Sequence, residues 1–315
     1  MSRFSVMSLL VALLLASCLS LSSAQLRKQT DADWPGRAES SAFSNPFPQL
    51  VPTAEGRTLI PANSLWVWGG LDEQDNGLSD IWVTTDGAKT WLQVLSERTV
   101  VDVSRSADCY SHQTGRVYAI TGSLPGDGDQ RTSRIVASND GVNWEVLNED
   151  AGFLARERPG CTVDSAGVVY IFGGSTRSDS GDTTGPTNDI WASRDLGATW
   201  TRTTARATWR PRISTDTQTF ASPVFNKDII YIESGDGGSK TDVPRGDGFR
   251  NDVWVSSDGA RSWYQLTAAA PFQYRKDAEL TVGKNGVLIV SSGDVDVGNA
   301  NDLWASLDGG YTVRI

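Results

Sequence analysis

The segment NDIWASRDLGATW, ending at Trp200, returns along the chain as SDIWVTTDGAKTW (79–91), NDVWVSSDGARSW (251–263) and NDLWASLDGGYT (301–312). A chain that repeats one string this closely must build one local structure several times over, and that limits its fold more than any single residue does. Aligning the turn aspartates Asp86, Asp140, Asp195, Asp258 and Asp308 gives gaps of 54, 55, 63 and 50 residues. Within each unit the order is constant. An apolar run closes on small residues, as in LWVWGG (65–70), VYAITG (117–122), VVYIFGG (168–174), IIYIESG (229–235) and VLIVSSG (287–293). A polar loop follows, then a strand such as DIWAS, a tight turn, and a short strand near a tryptophan.

Short runs rich in Val, Ile, Tyr and Trp, separated by Gly, Asp and Ser, specify strands and turns. No long helical period interrupts them, so the chain reads as all-β. An inner strand before each glycine-ended run, around SADCYS or PGCTV, brings every unit to four antiparallel strands. Four-stranded sheets repeated around an axis are the blades of a β-propeller.

Of 315 residues, 39% are hydrophobic and 9% aromatic, enough for a folded core. The net charge of -10 excludes a general phosphate-backbone binder, which needs a basic surface. Cationic ligands, metal ions and neutral sugars stay open. Residues 1–24 read as a signal peptide cleaved after Ala24, since the apolar run from Met7 to about Ala16 is shorter than the roughly 20 residues of a membrane span. LASC (15–18) offers a rival, a lipid anchor on Cys18. Residues 25–33 form a linker, and no later stretch is apolar enough to cross a membrane. Cys109 and Cys161 occupy equivalent repeat positions. Buried free thiols are the expectation, because equivalent positions in adjacent units rarely come within bonding distance, and a disulfide is the alternative.

The glycine pair followed by ND and a Trp-bearing strand resembles a kelch-type propeller of the galactose oxidase architecture. SRDLGATW resembles the Asp-box of sialidases and many other propellers; TTDGAKTW and SSDGARSW carry Ala for the later Gly, SNDGVNW is one residue short, and SLDGGYT lacks the Trp. The resemblance covers about residues 60–315 and implies a propeller over 34–315, with blades at 34–96, 101–148, 153–203, 209–267 and 272–315. Five blades are visible. Either they close on an early strand, or the chain is an incomplete six- or seven-bladed ring from a truncated gene model; loss of the tryptophan in the last unit favours the second. The clasp aspartates Asp86, Asp140, Asp195, Asp258 and Asp308 read as structural: hydroxyl and carboxylate accept turn amides while glycine supplies positive φ.

The clasp hairpins share one end with the first-to-second turns, so the long loops and inter-blade linkers gather at the other, where function concentrates on rigid scaffolds. These loops are acidic, but none shows the EF-hand order, and no metal or cofactor is expected. The linkers repeat aromatic-x-x-arginine: WPGR (34–37), FLAR (153–156), WRPR (209–212) and FQYR (272–275), with only Arg105 in the second unit. Arg37, Arg156, Arg212 and Arg275, with Trp34, Trp209 and Phe272 as stacking platforms, are the candidate ligand-binding set; the competing role for each arginine is packing on its aromatic or bridging to a neighbouring Asp. His112 is the single histidine, which rules out galactose oxidase copper chemistry and leaves no hydrolase triad. Sialidase chemistry would need Tyr, Glu and Asp, for which Tyr274, Asp277 and Glu279 are the nearest residues. The expectation is a secreted, non-enzymatic module binding a glycan or an extracellular protein through its loop face. A sialidase-like glycoside hydrolase and a structural component of matrix or cell wall are the alternatives.

Overall fold

The computed structural model describes residues 34, 40–70, 72, 78, 80–94, 105–124, 130–176, 185–238, 248–283 and 286–310. The signal-peptide and linker segments, Cys18, Arg37 and most of the acidic loop residues lie outside them. The described residues are all-β, without a helix, and contain no helix long and apolar enough to cross a membrane.

The first sheet consists of β1 (Ser41–Asn45), β4 (Ser64–Trp68), β5 (Ile81–Thr84) and β6 (Leu92–Val94). A hairpin of β2 (Gln49–Thr53) and β3 (Gly56–Ile60) is inserted after β1, an addition the repeat pattern does not reveal. The second sheet runs β7 (Ala107–Tyr110), β8 (Val117–Ser123), β9 (Arg131–Ser138) and β10 (Trp144–Asn148). In the third unit, β11 (Arg156–Glu157), β14 (Ser175–Thr176) and β15 (Gly185–Pro186) form a small sheet beside the main one of β12 (Gly160–Val163), β13 (Val169–Phe172), β16 (Ile190–Ser193) and β17 (Thr201–Thr204). The fourth sheet is β18 (Asp216–Ser222), β19 (Lys227–Glu233), β20 (Val253–Ser256) and β21 (Tyr264–Thr267). The fifth has three described strands, β22 (Glu279–Val282), β23 (Leu288–Ser291) and β24 (Leu303–Ser306). Every main-sheet pairing is antiparallel, and the inner strands fall where SADCYS and PGCTV called for them.

Each second strand has an apolar centre because both its faces are covered there. On β13, Val169 and Ile171 join a core with residues of the second unit, while Tyr170 and Phe172 join one with the fourth. The same alternation links the first unit to the second and the fourth to the fifth. The consecutive sheets therefore stack face to face through four successive cores.

The inner strands of neighbouring units lie side by side. Thr217 Oγ1 donates to the Cys161 carbonyl at 2.7 Å, and the Thr162 and Thr219 hydroxyls meet at 3.0 Å. Cys109 and Cys161 are joined by a disulfide with their Cα atoms 5.5 Å apart, which corrects the free-thiol expectation. The register gives the reason: Cys109 pairs with Tyr118 and Cys161 with Ile171, so the two are one place out of step in their units and face each other from adjoining inner strands rather than pointing the same way.

The linkers are stitched in the same sense. The Arg158 amide donates to the Arg105 carbonyl, Ser214 to Arg158, and Asp277 to Ser214, at 2.8, 3.0 and 3.1 Å. All four residues adopt left-handed backbone, with φ between 51° and 57°, so one strained position recurs in each linker.

Candidate functional site

The repeated motifs have structural duties that narrow the search. In the clasp of the third unit, Ser193 Oγ donates to Asp195 Oδ1 and accepts from the Gly197 amide, each at 2.8 Å. Asp195 also takes the Thr199 amide at 2.8 Å and the Thr199 hydroxyl at 2.6 Å, and Trp200 Nε1 closes on the Gly197 carbonyl at 3.1 Å. Asp86, Asp258 and Asp140 accept turn groups in the same manner, and Ser306 donates to Asp308. Threonine and serine donors hold the Asp195 carboxyl below its ordinary range, and the Thr90 amide and hydroxyl hold Asp86 down to about 2. Where the Asp-box resemblance asks for the later Gly, Ala88 and Ala260 adopt the left-handed backbone themselves, at φ 65° and 62°.

The three described arginines of the candidate ligand set, Arg156, Arg212 and Arg275, are committed internally. Arg212 grips Asp252 with two parallel bonds of 2.9 and 2.8 Å, and Nη1 also donates to the Ser234 carbonyl at 2.8 Å. Arg156 does the same to Asp189 and Gly173, and Arg275 to Asp302 and Ser292. All three are at most 1% exposed. Burial alone would raise the Asp189, Asp252 and Asp302 carboxyls, but the guanidinium and indole donors hold each below its ordinary value. The indole donors are Trp191, Trp254 and Trp304, which bond the same aspartates. Asn188 and Asn251, preceding two of these aspartates, each donate to two carbonyls of the next linker. The ND dipeptide thus works in two directions, Asp back to the arginine before it and Asn forward to the linker after it.

Trp209 and Phe272 are likewise core residues, at 0% and 2% exposure, beneath the guanidinium groups of Arg212 and Arg275. They present no stacking face to solvent, a correction to the platform reading. Trp34 is half-buried and packs edge-on against Trp82 and Trp91. His112 is exposed and sits against the Tyr110 ring.

What the repeat does not absorb is a group of three carboxylates. Inner-strand register aligns the pairs Ala107↔Ile120, Gly160↔Phe172, Asp216↔Glu233 and Glu279↔Ser291. Carboxylates therefore replace small or apolar residues in the fourth and fifth units. All three lie at the end of the sheets where inner strands begin and second strands finish, opposite the clasps.

Asp216 Oδ1 accepts the Thr217 amide, and its Oδ2 reaches across to the Leu280 amide of the fifth unit, both at 2.6 Å. Asp216 and Glu279 are half-buried, whereas Glu233 is fully buried. Glu233 Oε2 accepts the Ser234 hydroxyl, and its Oε1 has no hydrogen-bond partner among the described residues. Burial, followed by the Asp216 charge, raises the Glu233 carboxyl to about 8 against the opposing pull of Ser234, Arg275 and Arg212. Burial raises Asp216 to about 7, and burial with the Asp216 and Glu233 charges raises Glu279 well above the ordinary range. The group is thus a proton-holding cluster near neutral pH, able both to donate and to accept hydrogen bonds.

The sequence reading reached Glu279 and Asp277 by proximity to Tyr274 but missed Asp216 and Glu233. The available signal was the departure of IIYIE from the apolar ending of LWVW, VYAI and VYIF. Among the described residues no three His, Cys, Asp or Glu side chains are arranged to hold a metal ion. No protein-family model matches the chain, and no curated protein matches it.

Proposed function

We propose that the stacked sheets are blades of a β-propeller and that the protein is a secreted binding module whose loop end takes a hydroxyl-bearing ligand, a glycan before a protein. The observation that carries this reading is the Asp216, Glu233 and Glu279 cluster, placed at the loop end where the repeat otherwise has apolar residues. Burying a carboxyl with an unbonded oxygen is costly, and the half-buried Asp216 and Glu279 beside it are the members of the cluster open to a ligand hydroxyl. Arg156, Arg212 and Arg275 are not free to serve an anionic ligand at that end, since each is consumed by its aspartate. Secretion draws support from the Cys109–Cys161 disulfide, a bond that persists in oxidising compartments.

A second reading, glycoside hydrolysis, is favoured by the same raised carboxyls, because a carboxylic acid kept protonated near neutrality is what a general acid requires. A glycan array paired with a fluorogenic glycoside screen separates the two. Glycan retention that weakens in Glu233→Gln and Glu279→Gln, without turnover, supports the module. Turnover abolished by either variant replaces it with the hydrolase, and absence of both in the wild type refutes both readings.

A further inference from the structure

The clasp end carries a feature that its structural duty does not require. Between the third and fourth units lies a surface depression of about 350 Å³, lined by Asp164, Tyr170, Arg194, Lys227, Asp228 and Arg261 among others. That volume is within the range of small-ligand sites. Its walls come from two first-to-second turns and two clasps.

The charges there are unevenly satisfied. Asp164 Oδ1 already accepts the Ala166 and Val168 amides, and its Oδ2 accepts the Tyr170 hydroxyl. Asp228 Oδ2 accepts the Ser165 amide and hydroxyl, and Asp258 is filled by its own clasp. Asp164, Asp258 and one oxygen of Asp228 are thus turned to neutral donors, while Asp228 Oδ1 has no partner among the described residues. Arg194, Lys227 and Arg261, in contrast, are exposed. None of the three is in an ion pair among the described residues, and the Arg261 guanidinium donates to the Asp258 carbonyl but to no carboxylate among them. In a chain with 38 acidic and 28 basic residues, three unpaired cations around one depression are an unusual local surplus of open donors.

We propose that this depression is a binding site for an oxyanion, a carboxylate, sulfate or phosphate group carried by a small polar ligand. The guanidinium groups of Arg194 and Arg261 supply planar paired donors, and the Lys227 ammonium supplies a compact charge beside them. The site lies at the opposite end from the carboxylate cluster, so it stands whether or not the loop-end reading does.

Calorimetric titration of the whole protein at low ionic strength with sodium sulfate, sodium phosphate and sodium glucuronate tests it, each probe standing for one source of the oxyanion. Saturable one-to-one binding of at least one probe, weakened about tenfold or more in Arg194→Gln/Lys227→Gln, is expected. Both replaced side chains are exposed, and an unchanged melting curve in the variant establishes that its fold is intact. Failure of all three probes, or equal affinity in wild type and double variant, overturns the proposal.

Discussion

Replacing Glu233 with glutamine should stabilise this protein at alkaline pH and leave it nearly unchanged in acid. The side chain is fully buried, and its folded value of about 8 stands above the ordinary 4.5. Because the folded state holds this proton more tightly, the contribution to stability is fully present below pH 4.5 and is lost as the pH rises through 8. At 1.36 kcal/mol per pKa unit, a solitary group shifted this far would cost on the order of 5 kcal/mol once fully ionised. Sharing of charge with Asp216 and Glu279 reduces what one substitution recovers, to roughly 2–3 kcal/mol. For a chain of this size that corresponds to a rise in Tm of about 3–5 °C. Glutamine keeps the shape and can still accept the Ser234 hydroxyl, so the packing against Val253 and Leu280 is preserved. Thermal unfolding followed by circular dichroism from pH 4 to pH 9 is the assay. The expected result is a wild-type Tm that falls between pH 5 and pH 9 and a Glu233→Gln Tm that falls much less, the two meeting near pH 4. A variant destabilised equally at both ends of the range would show that Glu233 serves packing alone, and the proton-holding account of the cluster would be wrong.

Arg212→Ala should cost about 3–5 kcal/mol by stranding Asp252, whereas Arg212→Met with Asp252→Leu should recover most of that loss; equal melts for the two would refute the pairing argument. Reduction of Cys109–Cys161, or Cys161→Ser, removes a cross-link spanning 52 residues and should lower stability by about 2–4 kcal/mol, read from denaturant midpoints with and without reductant. Leu196 holds φ at 59° with its side chain exposed, so Leu196→Gly should gain about 0.5–1 kcal/mol in the same titration, and a loss would refute backbone strain in the clasp. Trp209→Ala should cost about 3–5 kcal/mol in stability, the opposite of what a solvent-facing stacking platform would show.

The difference between what was legible and what was not follows from the range of each interaction. A clasp is closed by residues two to four apart, as Ser193, Asp195, Gly197 and Thr199 are, so its geometry can be read from one string and checked against its copies. The partner of Arg212 is 40 residues away, and the arginine repeat reads equally well as a grip for a ligand or as an internal brace. Burial decides between them, and burial is a property of how units stack. The disulfide is less legible still, because its 52-residue separation becomes 5.5 Å only once two inner strands lie side by side. The carboxylate cluster had a different kind of signature. Asp216 and Glu233 are 17 positions apart in sequence, and neither belongs to a motif; what marks them is that Ala107 with Ile120, and Gly160 with Phe172, occupy the same paired places in earlier units. In a repeat protein the recurring residues mostly serve the fold, and the chemistry lies where one unit breaks the pattern at a cost the fold does not require. One buried and two half-buried carboxyls sharing protons are such a cost, and Glu233→Gln measures how large it is.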